Sequence, residues 1–168
     1  MTGAGTDKAT YDTTVSLALP PGTPSATYEG VAIKRHFPES ATLLPDGRVL
    51  LFENGYLETY DPASGKCADA GFISPGGEWY PNSATLLTNG IVLFEGGDVI
   101  DPITGDAPNI RTAVLYDPAG GSLTTGSLLV ARGNEYTATL LPDGSVLIAG
   151  GEEDNDGNAL ASAELIKP

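Results

Sequence analysis

One short phrase occurs three times along this 168-residue chain and constrains its fold more than any other feature. The copies lie at residues 40–52, 83–94 and 137–148, and each joins Ala-Thr-Leu-Leu to an Asp-Gly or Asn-Gly turn and then to an apolar run. The alanines of successive copies are 43 and 54 residues apart. A strand-turn-strand unit that recurs about every 50 residues is typical of propeller-type arrays, in which each repeat packs on its neighbours.

The first copy indicates how each repeat is built. Residues 40–44 have the pattern of a strand, and Pro45-Asp46-Gly47 reverses the chain, because proline fixes φ, aspartate bonds to nearby backbone and glycine tolerates positive φ. The return strand is predicted at residues 48–53, and its apolar run requires cover on both faces. Asn54-Gly55 is a strong hairpin signal and predicts a third strand at residues 56–61.

The remaining strands follow the same order, with insertions. The first repeat is expected to end in an outer strand near residues 67–73. In the second repeat a longer connection, residues 98–110, precedes a third strand at 111–117 and an outer strand near 122–125. The third repeat has its third strand at 161–166 and lacks a fourth.

The predicted fold is therefore all-β, with about three four-stranded antiparallel blades of propeller type. The blades are expected at residues 35–76, 77–131 and 132–168. Residues 1–34 are interpreted as an N-terminal extended segment, in which residues 10–19 are a candidate for the outer strand that the third blade lacks.

The number of repeats raises a problem of closure. Propellers typically close with about 4–8 blades, and three blades leave apolar faces open at both ends. The chain is therefore interpreted either as part of a longer propeller or as a homo-oligomer in which two copies supply six blades. An open stack with capped ends is the third alternative.

Charge and composition exclude several classes of partner. The chain has 8 basic and 22 acidic residues, a net charge of −14, which disfavours binding to nucleic acid or to an anionic membrane surface. No apolar stretch approaches the length of a membrane span, and the N-terminus lacks the pattern of a signal peptide. The single cysteine, Cys67, excludes an intrachain disulfide and leaves the compartment unknown.

The repeats resemble kelch repeats of the kind found in bacterial kelch proteins and galactose oxidase-like propellers. In that pattern an arginine precedes the repeated phrase, and a later strand ends in Tyr-Asp-Pro-Ala. Arg35 with residues 60–65 matches it in the first copy, residues 116–120 match its end in the second, and Arg132 precedes the third phrase. The second copy departs from the pattern, because Glu78 stands where the others have arginine. The resemblance covers residue 35 to the C-terminus and would be compatible with an extracellular or cell-surface protein.

The resemblance includes a branch of enzymes, the copper-radical oxidases. That branch requires two histidines and a tyrosine-cysteine crosslink, whereas this chain has one histidine, His36, and Cys67 matches no such motif. One isolated histidine also gives no basis for a catalytic triad. We therefore expect a non-catalytic module without a cofactor, which acts as a scaffold for binding. The alternative is the propeller portion of a galactose oxidase-like copper oxidase whose metal ligands lie outside this chain.

The candidate binding surface is the face that carries the loops between blades. Aromatic and arginine side chains are favoured in recognition patches, and a protein or a carbohydrate is the expected ligand. The candidate residues are Arg35, His36, Trp79, Tyr80, Arg132 and Tyr136. The alternative is that the aromatic side chains pack over a blade edge and that the arginines pair with neighbouring carboxylates.

A second candidate site is the acidic loop at residues 152–158. Its oxygen atoms are of the kind that calcium favours, with Asp154 and Asp156 as the candidate ligands. Because the loop lacks the downstream glutamate of an EF-hand, a solvated hairpin loop is the preferred interpretation.

Overall fold

The computed structural model describes residues 39–153 and 158–168, which belong to one compact unit of the chain, Ile33–Pro168. The described residues form antiparallel β-sheets and contain no helix, so the all-β prediction is confirmed. This part of the chain accordingly has no helix that is long and apolar enough to cross a membrane.

Sheet 1 is built from the first repeat and follows the predicted order closely. It contains β1 (Ser40–Leu43), β2 (Val49–Glu53), β3 (Tyr56–Asp61) and β4 (Lys66–Phe72), each paired with the next. The hairpin between β2 and β3 depends on Gly55, which has φ of +87°. A Cβ there would lie 2.5 Å from the carbonyl oxygen of Ile73, so only glycine fits this turn.

Sheet 2 comes from the second repeat and also has four strands. It contains β6 (Ser83–Leu86), β7 (Val92–Glu95), β9 (Thr112–Asp117) and β10 (Ser122–Ser127), paired in that order. The turn between β6 and β7 uses Asn89, whose side-chain oxygen accepts a hydrogen bond from the backbone N–H of Ile91 at 3.1 Å. This is the local bonding that makes asparagine favourable in turns.

Two short strands that the sequence analysis did not predict form sheet 4. β5 (Glu78–Tyr80) pairs antiparallel with β8 (Asp98–Ile100), which lies inside the long connection of the second repeat. The pairing needs Gly97, since a Cβ at that position would overlap the carbonyl of Tyr80. Sheet 4 thereby holds Trp79 against the core.

Sheet 3 comes from the third repeat and has three strands. It contains β11 (Tyr136–Leu140), β12 (Val146–Gly150) and β13 (Ala163–Ile166), so its last strand begins two residues later than predicted. No fourth strand pairs with β13 among the described residues. Residues 10–19, the candidate for that strand, lie outside the described ranges.

The sheets of the three repeats lie face to face in chain order. The first strand of sheet 2, β6, contacts β1 on one side and β11 on the other. One apolar core lies between sheets 1 and 2 and includes Phe52, Trp79 and Phe94. A second core lies between sheets 2 and 3 and includes Leu93 and Ile148. Sheet 2 is consequently buried on both faces, as the apolar run in β7 requires.

The first core makes a testable prediction about stability. Phe94 is fully buried, and its ring lies 5.1 Å from that of Phe52 and 6.3 Å from that of Trp79. We expect Phe94→Ala to lower the free energy of unfolding by about 3–5 kcal/mol, as measured by urea denaturation. Leu123→Ala is the control, because this side chain is 45% exposed. Equal effects of the two substitutions would contradict the assignment of Phe94 to the core.

Candidate functional site

Trp79 lies in the core between sheets 1 and 2. Its side chain has 0% exposure, and its ring packs edge-on against Phe52 at 5.9 Å. The indole N–H donates to the carbonyl oxygen of Gly96 at 2.8 Å, which satisfies its only polar group. In this conformation Trp79 offers no surface to a ligand and joins β5 to the end of β7.

Arg132 is also fully buried and pairs with a carboxylate of β13. Its Nε donates to Glu164 Oε1 at 2.9 Å, and the two side chains have exposures of 0% and 7%. The guanidinium also donates to the carbonyl oxygens of Gly150 and Ser162, at 2.5 and 3.1 Å, and to Ser162 Oγ at 3.0 Å. Arg132 therefore fastens β13 to the segment that precedes β11, as the alternative interpretation of this arginine expects.

Tyr136 faces a buried carboxyl between sheets 2 and 3. Its hydroxyl donates to the backbone carbonyl oxygen of Glu95, whose side chain has 0% exposure. Ser83 Oγ donates to Glu95 Oε1 at 2.5 Å, whereas Oε2 has no hydrogen-bond partner in the described structure. Burial raises the pKa of Glu95 to about 8, so this carboxyl is largely protonated at neutral pH.

Tyr80 differs from the other candidates because it remains partly exposed, within a group of carboxylates. Its hydroxyl donates to Glu78 Oε2 at 3.2 Å, and it pairs with Asp98 across β5 and β8. Partial burial raises the pKa of Tyr80, and the negative charges of Glu78, Glu39 and Glu53 raise it further. We call this group the acidic rim, defined by Glu39, Glu53, Glu78, Tyr80 and Asp98.

Glu39 lies at the edge of the acidic rim, before β1. Its Oε2 accepts a hydrogen bond from the backbone N–H of Asn54 at 3.4 Å, which joins it to the turn between β2 and β3. Partial burial raises the pKa of Glu39 to about 7, and the neighbouring charge of Glu53 acts in the same direction. Its carboxyl therefore changes charge near neutral pH, where a glutamate with an ordinary pKa is already ionised.

The rim contains more hydrogen-bond acceptors than donors. Glu53 Oε2 and Asp98 Oδ1, together with Oδ1 of the adjacent Asn54, are buried without a hydrogen-bond partner in the described part of the chain. Asp98 Oδ2 accepts a bond from Asn134 Nδ2 at 3.4 Å, and burial raises the pKa of Asp98. The carboxylates of the rim that are exposed, Glu39 and Glu78, are the ones that can attract a group that donates hydrogen bonds or carries positive charge.

Hydrogen bonds to backbone carbonyl oxygens join the loops between repeats to one another and to the connections within repeats. The N–H of Gly97, after β7, donates to the carbonyl oxygen of Arg132 at 2.7 Å. Asn82 Nδ2 donates to Gly133 O at 3.2 Å, and Asn109 Nδ2 donates to Glu152 O at 3.0 Å. The segments that precede β6 and β11 thus meet the connections that follow β7 and β12.

The other candidate residues cannot be placed in this site. Arg35 and His36 lie outside the described residues, as do the candidate calcium ligands Asp154 and Asp156. Within the described ranges, no group of three or more His, Cys, Asp or Glu side chains is arranged to hold a metal ion.

Comparison with known proteins does not assign the chain to a family. No protein-family model matches the sequence, and no curated protein matches it significantly. The kelch resemblance thus depends on the repeated phrases alone and stays a prediction.

The sequence analysis missed Glu95, although a signal for it was present. In the aligned repeats Glu95 occupies the position of Phe52 in the first copy and Ala149 in the third. A carboxylate at an otherwise apolar position of a strand covered on both faces indicates a buried charge or a buried neutral acid.

Glu95 predicts a pH-dependent stability. Its pKa is about 8 in the folded chain and near 4.5 when exposed, so the folded state retains a proton that the unfolded state loses between these values. Stability should fall as pH rises from 4.5 to 8. Glu95→Gln should remove this contribution, giving a flatter dependence in urea denaturation at pH 5, 7 and 9. Glu39→Gln serves as the comparison, because it makes the same substitution at a less buried carboxyl. If the stability of Glu95→Gln depends on pH as that of the unchanged chain does, the prediction is contradicted.

The buried ion pair of Arg132 with Glu164 should be important for stability. Arg132→Ala leaves Glu164 buried without its cation, and we expect the free energy of unfolding to fall by about 3–5 kcal/mol. Arg48→Ala is the control, because Arg48 and Asp46 form an exposed pair at 2.7 Å. Combining Arg132→Ala with Glu164→Gln should restore part of the loss. A fully stable Arg132→Ala protein would indicate that the pair is dispensable.

Proposed function

We propose that this chain is a non-catalytic, kelch-type propeller module that binds a partner through the face carrying the acidic rim. The observation that carries this proposal is the group around Tyr80, where a partly exposed aromatic ring is surrounded by carboxylates from separate segments. The group combines an apolar ring surface with negative charge.

The propeller part of the proposal is supported by the order of the strands. In sheets 1 and 3 the strands pair in chain order, and sheet 2 does the same apart from the inserted β8. The first strands of the three sheets are neighbours, and their later strands lie progressively farther along each sheet. In a propeller the first strand of each blade lies nearest the central axis, next to the first strands of the neighbouring blades. The three sheets have this arrangement of first strands.

The chemistry of the rim favours a cationic protein segment as the partner. Glu39 and Glu78 are exposed, and the whole chain has a net charge of −14. A lysine or arginine side chain could pair with these carboxylates, and an arginine could also stack on the ring of Tyr80. A carbohydrate is the second ligand class, since its hydroxyl groups can also donate hydrogen bonds to the exposed carboxylates of Glu39 and Glu78.

No observation in the described residues favours the copper-oxidase alternative over a binding module. The groups that approach one another at the rim are carboxylates, a phenol and amides.

The binding proposal can be tested with a peptide of alternating arginine and glycine residues. Isothermal titration should detect binding that weakens as salt increases. Because an exposed charge pair contributes on the order of 0.2–1 kcal/mol, Glu39→Gln with Glu78→Gln should weaken binding by roughly 2- to 30-fold.

The matched control changes two acidic residues in the turns between first and second strands. Asp46→Asn with Asp143→Asn removes the same charge, and the second copy of the phrase naturally has asparagine, Asn89, at this position. Equal weakening by both pairs would indicate non-specific attraction, and absence of binding at low salt would refute the cationic partner. Salt-independent binding of a neutral oligosaccharide would favour the carbohydrate alternative.

A further inference from the structure

The outer face of sheet 3 is open where the equivalent faces of sheets 1 and 2 are covered. Leu50, Leu93 and Leu147 occupy the same position in their repeats, and each belongs to the second strand of its sheet. Leu50 and Leu93 are 1% exposed because the next sheet packs on them, whereas Leu147 is 37% exposed. Leu165 on β13, which pairs with Leu147 in the register, is 46% exposed.

The opposite end of the stack is open at the complementary face. Leu43, Leu86 and Leu140 are equivalent residues on the first strands of the three sheets. Leu86 and Leu140 are half-buried against the preceding sheet, whereas Leu43 is 65% exposed. Each end of the stack thus exposes a leucine whose equivalents at the internal interfaces are buried or half-buried.

We propose that these two faces bind each other in different copies of this chain, so that sheet 3 of one copy packs on sheet 1 of the next. The internal interfaces indicate what the occupant must be. Sheets 2 and 3 each cover the preceding sheet with two apolar residues of their second strand, Val92 with Phe94 and Val146 with Ile148. Sheet 1 has Val49 and Leu51 at these positions.

A second copy is the occupant because sheet 1 carries the equivalent of this covering face, Leu43 on it is 65% exposed, and no other described sheet packs on it. Within one chain, this face of sheet 1 points away from sheet 2, so it cannot reach the open face of sheet 3 in the same chain. The open face of sheet 3 consists of neutral residues, namely Thr137, Thr139, Leu141, Leu147, Ala149, Ala163 and Leu165. It therefore presents no charge that docking would have to bury.

The sheet 1 face is less uniformly apolar, and only part of it is exposed. Glu58 lies beside Leu51 in the register and is 4% exposed. Because Glu58 is already buried in the single chain, the exposed part of this face is the part around Leu43, while Val49 and Leu51 are half-buried. A head-to-tail contact either closes into a ring or extends into a filament. Counting only sheets 1 to 3 of each copy as blades, two copies would supply six, within the usual range of about 4–8 for closed propellers, so a dimer is the expected assembly.

Only this closure rests on the propeller arrangement proposed above, and the assembly can be tested independently of peptide binding. Sedimentation of the full chain at micromolar and submillimolar concentration should reveal a reversible dimer. Leu147→Asp and Leu165→Asp should each raise the dissociation constant by at least about tenfold, because each places a charge in the contact. Ile103→Asp is the control, since Ile103 is 92% exposed in the connection between β8 and β9.

A second measurement distinguishes the direction of docking. In a Cys67→Ser background, Leu43→Cys and Thr139→Cys place single thiols on β1 and β11. Leu86 is the equivalent of Leu43 and Thr42 is the equivalent of Thr139. These two residues lie on β6 and β1, which contact each other at the internal interface between sheets 1 and 2. A short bismaleimide should link the two variants when they are mixed, and should link neither variant efficiently by itself.

Each outcome bears on the proposal. A chain that stays monomeric at every concentration would overturn it, as would a dimer that both aspartate variants leave intact. Efficient linking of Thr139→Cys to itself would indicate that two sheet 3 faces meet, which would also overturn the head-to-tail contact. In all these cases the peptide titration would still report on the acidic rim.

Discussion

The structure depends on the burial of each sheet's apolar face under the sheet of the next repeat. A short strand such as β7 has apolar side chains on both faces, and a single sheet cannot cover either of them. Phe52, Trp79 and Phe94 meet between sheets 1 and 2 and fix the distance at which the two sheets pack. The same positions in the repeats then determine the second interface, so stability accumulates from neighbour to neighbour.

The polar groups on the face that carries the loops between repeats are arranged by this packing. Trp79 and Arg132 come from segments between repeats, and both are drawn into the interior, where their donors are matched to carbonyl or carboxylate oxygens. This leaves the carboxylates around Tyr80 at the surface. The candidate site is therefore composed of side chains that do not pack into the interfaces between sheets. It has more hydrogen-bond acceptors than donors because the sequence is rich in acidic residues.

Much of the fold could be predicted from the sequence, whereas the site could be predicted only in outline. The turns at Asp46-Gly47 and Asn54-Gly55 are local signals, so the strands around them were predicted nearly to the residue. Sheet 4 was missed because β5 and β8 are three residues long and pair through Gly97 and the buried ring of Trp79. These are long-range contacts without a local pattern.

The sequence by itself determined the all-β class, the three repeated units and the paired strands within each unit, because hairpins are encoded by adjacent residues. Only the tertiary structure decided which polar side chains are available to a partner. Arg132 and Tyr80 are both plausible surface residues in the sequence, yet one is buried against Glu164 and the other stays at the acidic rim. That difference arises because burial depends on which segments meet across the interfaces between sheets.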